Sequence, residues 1–208
     1  MKILNLYACL GGNRYKWGDE HEITAVELDP ELARLYQERF PNDTVIVADA
    51  HQYLLDHYKE FDFIWSSPPC PSHSRARYWN TKSSPMYPDM SLYEEILMLQ
   101  HFFEGKWLVE NVIPYYDPLI PAIKRGRHLY WCNFKLPNEL GRELTIMTGK
   151  GEVKKWCAFH DYDFTKYKGE QRIDKIARNL VDYEAGKTIL DTVMGIVKKQ
   201  NEKQIELF

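Results

Sequence analysis

The most reactive candidate in the chain is a cysteine held between prolines. Cys70 lies in the run Ser66-Ser67-Pro68-Pro69-Cys70-Pro71. Two prolines set the approach and one sets the exit, so the backbone that carries the thiol has little freedom. A rigidly presented thiol suits a nucleophile, whereas a buried structural cysteine needs no such flanks. Further along, Glu110-Asn111-Val112 offers a carboxyl group that can act beside a thiol as acid, base or hydrogen-bond partner. Three features precede the cysteine. Gly11-Gly12 lets a ligand approach the backbone, or simply makes a tight turn, since the spacing is not that of a dinucleotide fingerprint. Glu27 can accept from ribose hydroxyls, or be a solvated carboxylate. Asp49 can accept from an adenine amino group, or cap the helix that follows it. Each feature is ambiguous alone; together they favour a nucleoside-bearing cofactor.

These residues need a scaffold that brings them to one edge. Short apolar runs at 3–7, 22–27, 44–48, 61–66 and 107–110 predict strands. Helical spacing is predicted at 30–40, 50–58 and 91–103, with Pro30 opening the first of these and Pro41 stopping it. Strand–helix alternation of this kind predicts an α/β fold with a mostly parallel, doubly wound sheet. Ligands of such sheets bind beyond the carboxyl ends of the strands, where all five features fall. A strand is also predicted at 129–134, an irregular charged stretch at 135–172, and closing helices at 172–180 and 184–199. The loop 67–90 is too long for a plain connection and carries His73, Arg75, Arg77, Tyr78, Trp79 and Lys82. Its cations suit phosphates and its aromatic rings suit base stacking, with a solvated basic loop as the plain alternative.

Composition narrows the classes. A chain of 208 residues, 44% of them hydrophobic, suits one compact domain with a full core. The formal net charge of -3 implies that any nucleic-acid contact relies on a local basic face. The four cysteines have no paired spacing, which argues against a disulfide or metal framework and for a reducing cytoplasm. No metal site is expected. No apolar run is long enough to span a bilayer, and the N-terminus does not read as a signal peptide.

The motifs resemble the DNA cytosine-5 methyltransferase family, especially its small phage-type members. The matching pieces are LYACLGGN ending at Asn13, VELDP (26–30), VADAHQYL (47–54), SSPPCPSHSR (66–75), VENV (109–112), GRHLYWCNF (126–134) and ARNLVDYEAGKTIL (177–190), in the family's order. The resemblance implies a Rossmann-like class I fold that uses S-adenosylmethionine. It implies Tyr7, Gly11, Glu27, Asp49, Pro69 and Asn179 as cofactor-binding residues. Cys70 would add to carbon 6 of cytosine, Glu110 would hydrogen-bond the ring, and Arg127 would hold the base carbonyl. The family's Gln-x-Arg-x-Arg is reduced here to Lys124-Arg125-Gly126-Arg127-His128, so Arg125 and His128 stay open as alternatives to Arg127. Cys9 stands where small phage-type members often have glycine.

Residues 1–134 would then be the catalytic core, 135–172 a short recognition-like segment in place of a large domain, and 173–208 the closing helices and tail. So little recognition surface predicts short or relaxed DNA specificity. RNA cytosine-5 methylation and an inactive DNA- or cofactor-binding relative are the competing readings. A monomer is the family's habit. The tail Gln204, Ile205, Glu206, Leu207 and Phe208 resembles the peptide that docks into bacterial sliding clamps, or else folds back onto the body.

Overall fold

The computed structural model describes residues 1–75, 86–142 and 153–196. Strands β1 (Lys2–Leu6), β2 (Glu22–Glu27), β3 (Thr44–Val47), β4 (Phe63–Ser66) and β5 (Lys106–Val112) are mutually parallel. β7 (His128–Cys132) runs antiparallel to β5, and β6 (Ile123–Arg125) runs antiparallel to β7. These strands make one sheet in the order β3-β2-β1-β4-β5-β7-β6. The order, with a single reversed strand, is that of the Rossmann-like class I methyltransferase fold.

Alternation along the strands splits their apolar runs between two covered faces. Leu4, Leu6, Ile64, Trp107 and Val109 pack on one side with Leu54 of α2 (Ala50–His57) and with Ile96 and Leu99 of α3 (Ser91–Phe102). Ile3, Ile23, Phe63, Trp65 and Leu108 pack on the other with Ile189 and Leu190 of α6 (Tyr183–Val193). On that face Ala25 also meets Tyr36 and Phe40, at the end of α1 (Pro30–Arg39). α1 begins as its sequence predicts, with Pro30 in the first turn and the Asp29 side chain accepting from the amides of Glu31 and Leu32. α6 lies so close to the turn after Gly12 that a Cβ on Gly186 would stand 2.1 Å from the Asn13 carbonyl oxygen. The family-like Ala185-Gly186 therefore reflects backbone-to-backbone packing.

Three differences from the predicted elements have physical reasons. β6 is only three residues long, too short to display a period. The stretch expected to be irregular holds α4 (Val153–His160), which buries Trp156 and His160, and a 3-10 turn at Phe164–Lys166. The final helix stops at Val193, well short of 199. Gly195 takes a left-handed φ of +70° and returns hydrogen bonds to the end of that helix, from Gly195 N–H to Thr192 and from Ile196 N–H to Asp191. Arg77, Tyr78, Trp79 and Lys82 lie outside the described residues, as does the tail from Gln204 to Phe208. No helix among the described residues is long and apolar enough to cross a membrane.

Candidate active site

The carboxyl ends of β1, β2, β4 and β5, with α5 (Ile173–Asn179) opposite, enclose a cavity of about 570 Å³. Tyr7, Glu27, Asp49, Pro69, Cys70, Glu110 and Asn179 all line it. Seven of the side chains singled out in the sequence thus share one space.

The turn after β1 is tightly folded. Tyr7 and Cys9 adopt left-handed φ values of +55° and +48°, followed by Gly11 at +67°. Such a conformation costs a non-glycine residue about 1–2 kcal/mol, a cost that a glycine in place of Cys9 would avoid. The turn is held by Ala8 N–H to the Val26 carbonyl (3.0 Å), Gly11 N–H to the Ala8 carbonyl (2.8 Å) and Cys9 N–H to Glu27 Oε2 (2.8 Å). Gly11 faces away from the cavity: a Cβ there would lie 2.4 Å from the Phe40 ring. Gly12 is the glycine that lines the cavity. The assignment of Gly11 as a contact residue is therefore corrected: its role is the turn.

Glu27 accepts Cys9 N–H on one oxygen and Asp29 N–H (2.9 Å) on the other. Each carboxylate oxygen has a second lone pair, so both keep capacity for hydroxyl donors. Asp49 does cap α2, with Oδ1 accepting Gln52 N–H at 2.9 Å. Its other oxygen is left over for a ligand, so the two readings of Asp49 are compatible. Leu28, two-thirds exposed beside Glu27, adds an apolar wall that the sequence did not single out. This donor set fits a nucleoside: hydroxyl acceptors, an amine acceptor and an apolar surface.

Neighbouring strands carry the reactive pair. Ser66 at the end of β4 stands beside Val109 in β5, so the Cys70 loop and Glu110 leave adjacent strand ends. Asn111 fastens the two motifs together: its buried side-chain amide donates to the Pro68 carbonyl at 3.0 Å. Beyond the thiol, the amides of His73 and Ser74 both donate to the Cys70 carbonyl at 3.0 Å. The loop is thus shaped by backbone and Asn111 contacts that do not involve the Cys70 sulfur. Burial pushes the Cys70 thiol above the ordinary thiol range, and the nearby Glu110 charge pushes it further, while Lys175 and Arg178 oppose this. The thiolate is consequently scarcer at neutral pH than in a free cysteine. Alkylation of Cys70 by iodoacetamide, followed by peptide mass mapping, is expected to be slow at pH 7 and to climb through alkaline pH. In Glu110→Gln the profile moves to lower pH. Rapid neutral alkylation in the unaltered protein would contradict this.

A buried carboxyl group ties the site loops together. Glu95 of α3 is fully buried and accepts from Tyr7 Oη (2.6 Å) and Ser66 Oγ (2.6 Å), and lies 3.1 Å from His51 Nδ1. Nothing in the LYEEIL sequence separates it from exposed Glu94.

The remaining residues sort differently. Arg127 and His128 line a second cavity of about 360 Å³ that shares Glu110 and Asn179 with the first, and His128 lines both. Arg125 is spent on the chain itself, donating to the carbonyl oxygens of Pro137 (2.6 Å), Lys124 (2.9 Å) and Leu136 (3.4 Å) and to the Asn138 side chain (3.2 Å). Among the described residues, no side-chain hydrogen bond holds Arg127 or His128 in this way, and both line the second cavity. His73 is corrected as a nucleic-acid contact: it is buried, with Nδ1 2.6 Å from Tyr116 Oη, and serves the loop's packing. Arg75 is exposed, with Nε donating to the Pro114 carbonyl at 2.9 Å. Among the described residues, no cluster of His, Cys, Asp and Glu could hold a metal ion.

The family described as C-5 cytosine-specific DNA methylase matches residues 1–113 of the chain. No curated protein matches it. Among solved structures, a mutant DNMT2 of Spodoptera frugiperda is 26% identical, covering 53% of this chain and 35% of that one, with a TM-score of 0.38. The chain thus spans about a third of that relative's length. A hypothetical protein of Thermus thermophilus is 19% identical over 63% of this chain and 73% of that one, with a TM-score of 0.43. A SAM-dependent methyltransferase of Agrobacterium tumefaciens is 14% identical over 56% and 40%, with a TM-score of 0.42.

Proposed function

The chain belongs to the C-5 cytosine-specific DNA methylase family, and we propose that it methylates carbon 5 of cytosine in DNA, with S-adenosylmethionine as donor and Cys70 as nucleophile. The observation that carries this reading is the shared cavity: Cys70 and Glu110 line the same space as Glu27 and Asp49. Glu27 would hold the ribose hydroxyls, Asp49 the adenine amino group, and Tyr7, Pro69 and Asn179 the methionine end. When bound, S-adenosylmethionine supplies an electrophilic methyl group on a sulfonium.

The chain's own residues supply the rest. Carbon 5 of cytosine is a poor nucleophile. Addition of the Cys70 thiolate to carbon 6 pushes electron density to carbon 5, and Glu110 hydrogen-bonds N3 and the exocyclic amine as charge develops there. Arg127, with His128 beside it, holds the base carbonyl. Once carbon 5 carries the methyl group it loses its proton, and the carbon–sulfur bond breaks to return Cys70. The target base must leave the stack for carbon 6 to be reached, at a cost of about a few kcal/mol. Arg75, Arg77 and Lys82 would contact the phosphates.

The test is incubation with labelled S-adenosylmethionine and unmethylated DNA beside an RNA of the same sequence. Label in DNA at cytosine is expected. Label in RNA alone would replace the substrate, and cofactor binding with no label in either would make the chain a binding relative. The tail's Leu207 and Phe208, with Gln204, support a second element of the proposal, tethering to a sliding clamp. The 200–208 peptide should then bind a purified bacterial clamp; no binding at high micromolar concentration removes the idea.

A further inference from the structure

A polyanion bound by a chain of net charge -3 needs a local row of cations. His73, expected to serve in such a row, is buried against Tyr116. The wall that α5 forms across the reactive cavity carries cations that the reaction above leaves unused. From 172 to 179 the chain holds Arg172, Lys175 and Arg178 against the single carboxylate of Asp174.

Their partners set them apart. Asp174 accepts from Arg172 at 2.9 and 3.0 Å and from Arg178 Nη2 at 2.8 Å. Arg178 Nε donates to the Asp174 carbonyl at 3.0 Å, so two of its five N–H groups are spent. Lys175 Nζ donates to Gln171 Oε1 at 3.3 Å, and no carboxylate pairs with it among the described residues. Both side chains are exposed. Three residues apart on one helix, they share a face. Lys175 lines the reactive cavity with Cys70, Arg178 lines both cavities, and Arg127 lines the second. The charges of Lys175 and Arg178 reach the thiol, where they oppose the rise in its pKa.

This arrangement selects among anions. A single carboxylate, such as that of the cofactor, meets one cation at one point. Cations that continue past the reactive cavity suit a chain of phosphates instead. An ammonium and a guanidinium are both suited to phosphate oxygens, the first as a point charge and the second as a fork.

Resting on the proposed action on DNA, we infer that Lys175 and Arg178 grip the backbone phosphates that flank the target cytosine. Contacts of this kind position the strand over Cys70 and carry no sequence information.

The test measures binding of the full chain to a fluorescent, unmethylated DNA duplex at a series of salt concentrations. Each phosphate contact contributes about 0.9 to the slope of log affinity against log salt. Lys175→Gln should lower the slope by about that amount, and weaken binding by the same factor on duplexes of different sequence. Lys175→Arg should keep the slope. Arg178→Gln should lower it as Lys175→Gln does, with Asp174 still paired to Arg172. Calorimetric titration with S-adenosylmethionine should be unchanged in Lys175→Gln. An unchanged slope in Lys175→Gln overturns the grip, as does a duplex that fails to bind even at low salt. Lower cofactor affinity with an unchanged slope assigns Lys175 to the cofactor's carboxylate and also overturns it. Methyl label in DNA with an unchanged slope removes the grip alone. The expected slopes without label in DNA remove the methylation reading and leave the grip.

Discussion

Replacing Cys70 with alanine is expected to lower methyl transfer to DNA at least roughly a thousandfold while leaving cofactor affinity and folding intact. The separation follows from how the loop is built. Its shape is set by Asn111 holding the Pro68 carbonyl and by the His73 and Ser74 amides closing on the Cys70 carbonyl. None of these contacts uses the sulfur, so truncation to Cβ leaves the loop in place. Glu27 and Asp49, proposed above to hold the nucleoside, and Leu28 beside them line the cavity from other strand ends. Calorimetric titration with S-adenosylmethionine should therefore match the unaltered protein, and so should the melting curve. What disappears is addition to carbon 6, without which carbon 5 has no means of attacking a methyl group. Activity within tenfold of the unaltered protein would remove Cys70 as the nucleophile. Loss of activity together with cofactor binding or stability would instead make it a packing residue.

Much of this site was legible because the chemistry follows the fold's own punctuation. In a parallel sheet every strand ends on the same edge, so Glu27, Asp49, Cys70 and Glu110 converge once their strands are recognised. Pairing of β4 with β5 then makes Cys70 and Glu110 neighbours although they are distant in sequence. Illegible features depend on which way a side chain turns. Gly11 and Gly12 are adjacent and alike, but only Gly11 has the left-handed φ, and only Gly12 lines the cavity. His73 reads as an exposed loop cation; the bridge between Ser74 and Pro114 folds it inward against Tyr116. Glu94 and Glu95 are one helical step apart, about 100° around the axis, and that step separates an exposed carboxylate from a fully buried one.

That buried carboxyl group yields the largest expected loss of stability. Glu95 is the common partner of Tyr7 after β1, His51 in α2 and Ser66 at the end of β4. In Glu95→Ala the tyrosine and serine hydroxyls lose their acceptor inside the protein, and a cavity replaces the carboxyl group. Unpaired buried donors cost about 1–3 kcal/mol each, so a total of roughly 3–5 kcal/mol is expected. Glu95→Gln keeps the volume and one acceptor, and should cost less. Cofactor affinity should fall in both, because Tyr7 lines the cavity and its hydroxyl loses its anchor.

The glutamine variant also has a pH signature that plain destabilisation lacks. The hydrogen bond to Glu95 raises the His51 pKa above its ordinary 6.5, with the charges of Glu95, Glu94 and Asp49 adding to it. A raised folded-state pKa means that this contribution to stability is complete below 6.5 and fades as pH rises through the higher folded value. In Glu95→Gln the largest cause is gone. The stability difference between the two proteins should therefore be greatest on the acid side of that window and shrink as pH rises through it. Urea unfolding at a series of pH values reads this directly. A difference that stays constant across the window would show that Glu95 contributes through packing and the Tyr7 and Ser66 hydrogen bonds, with no ionic contact to His51.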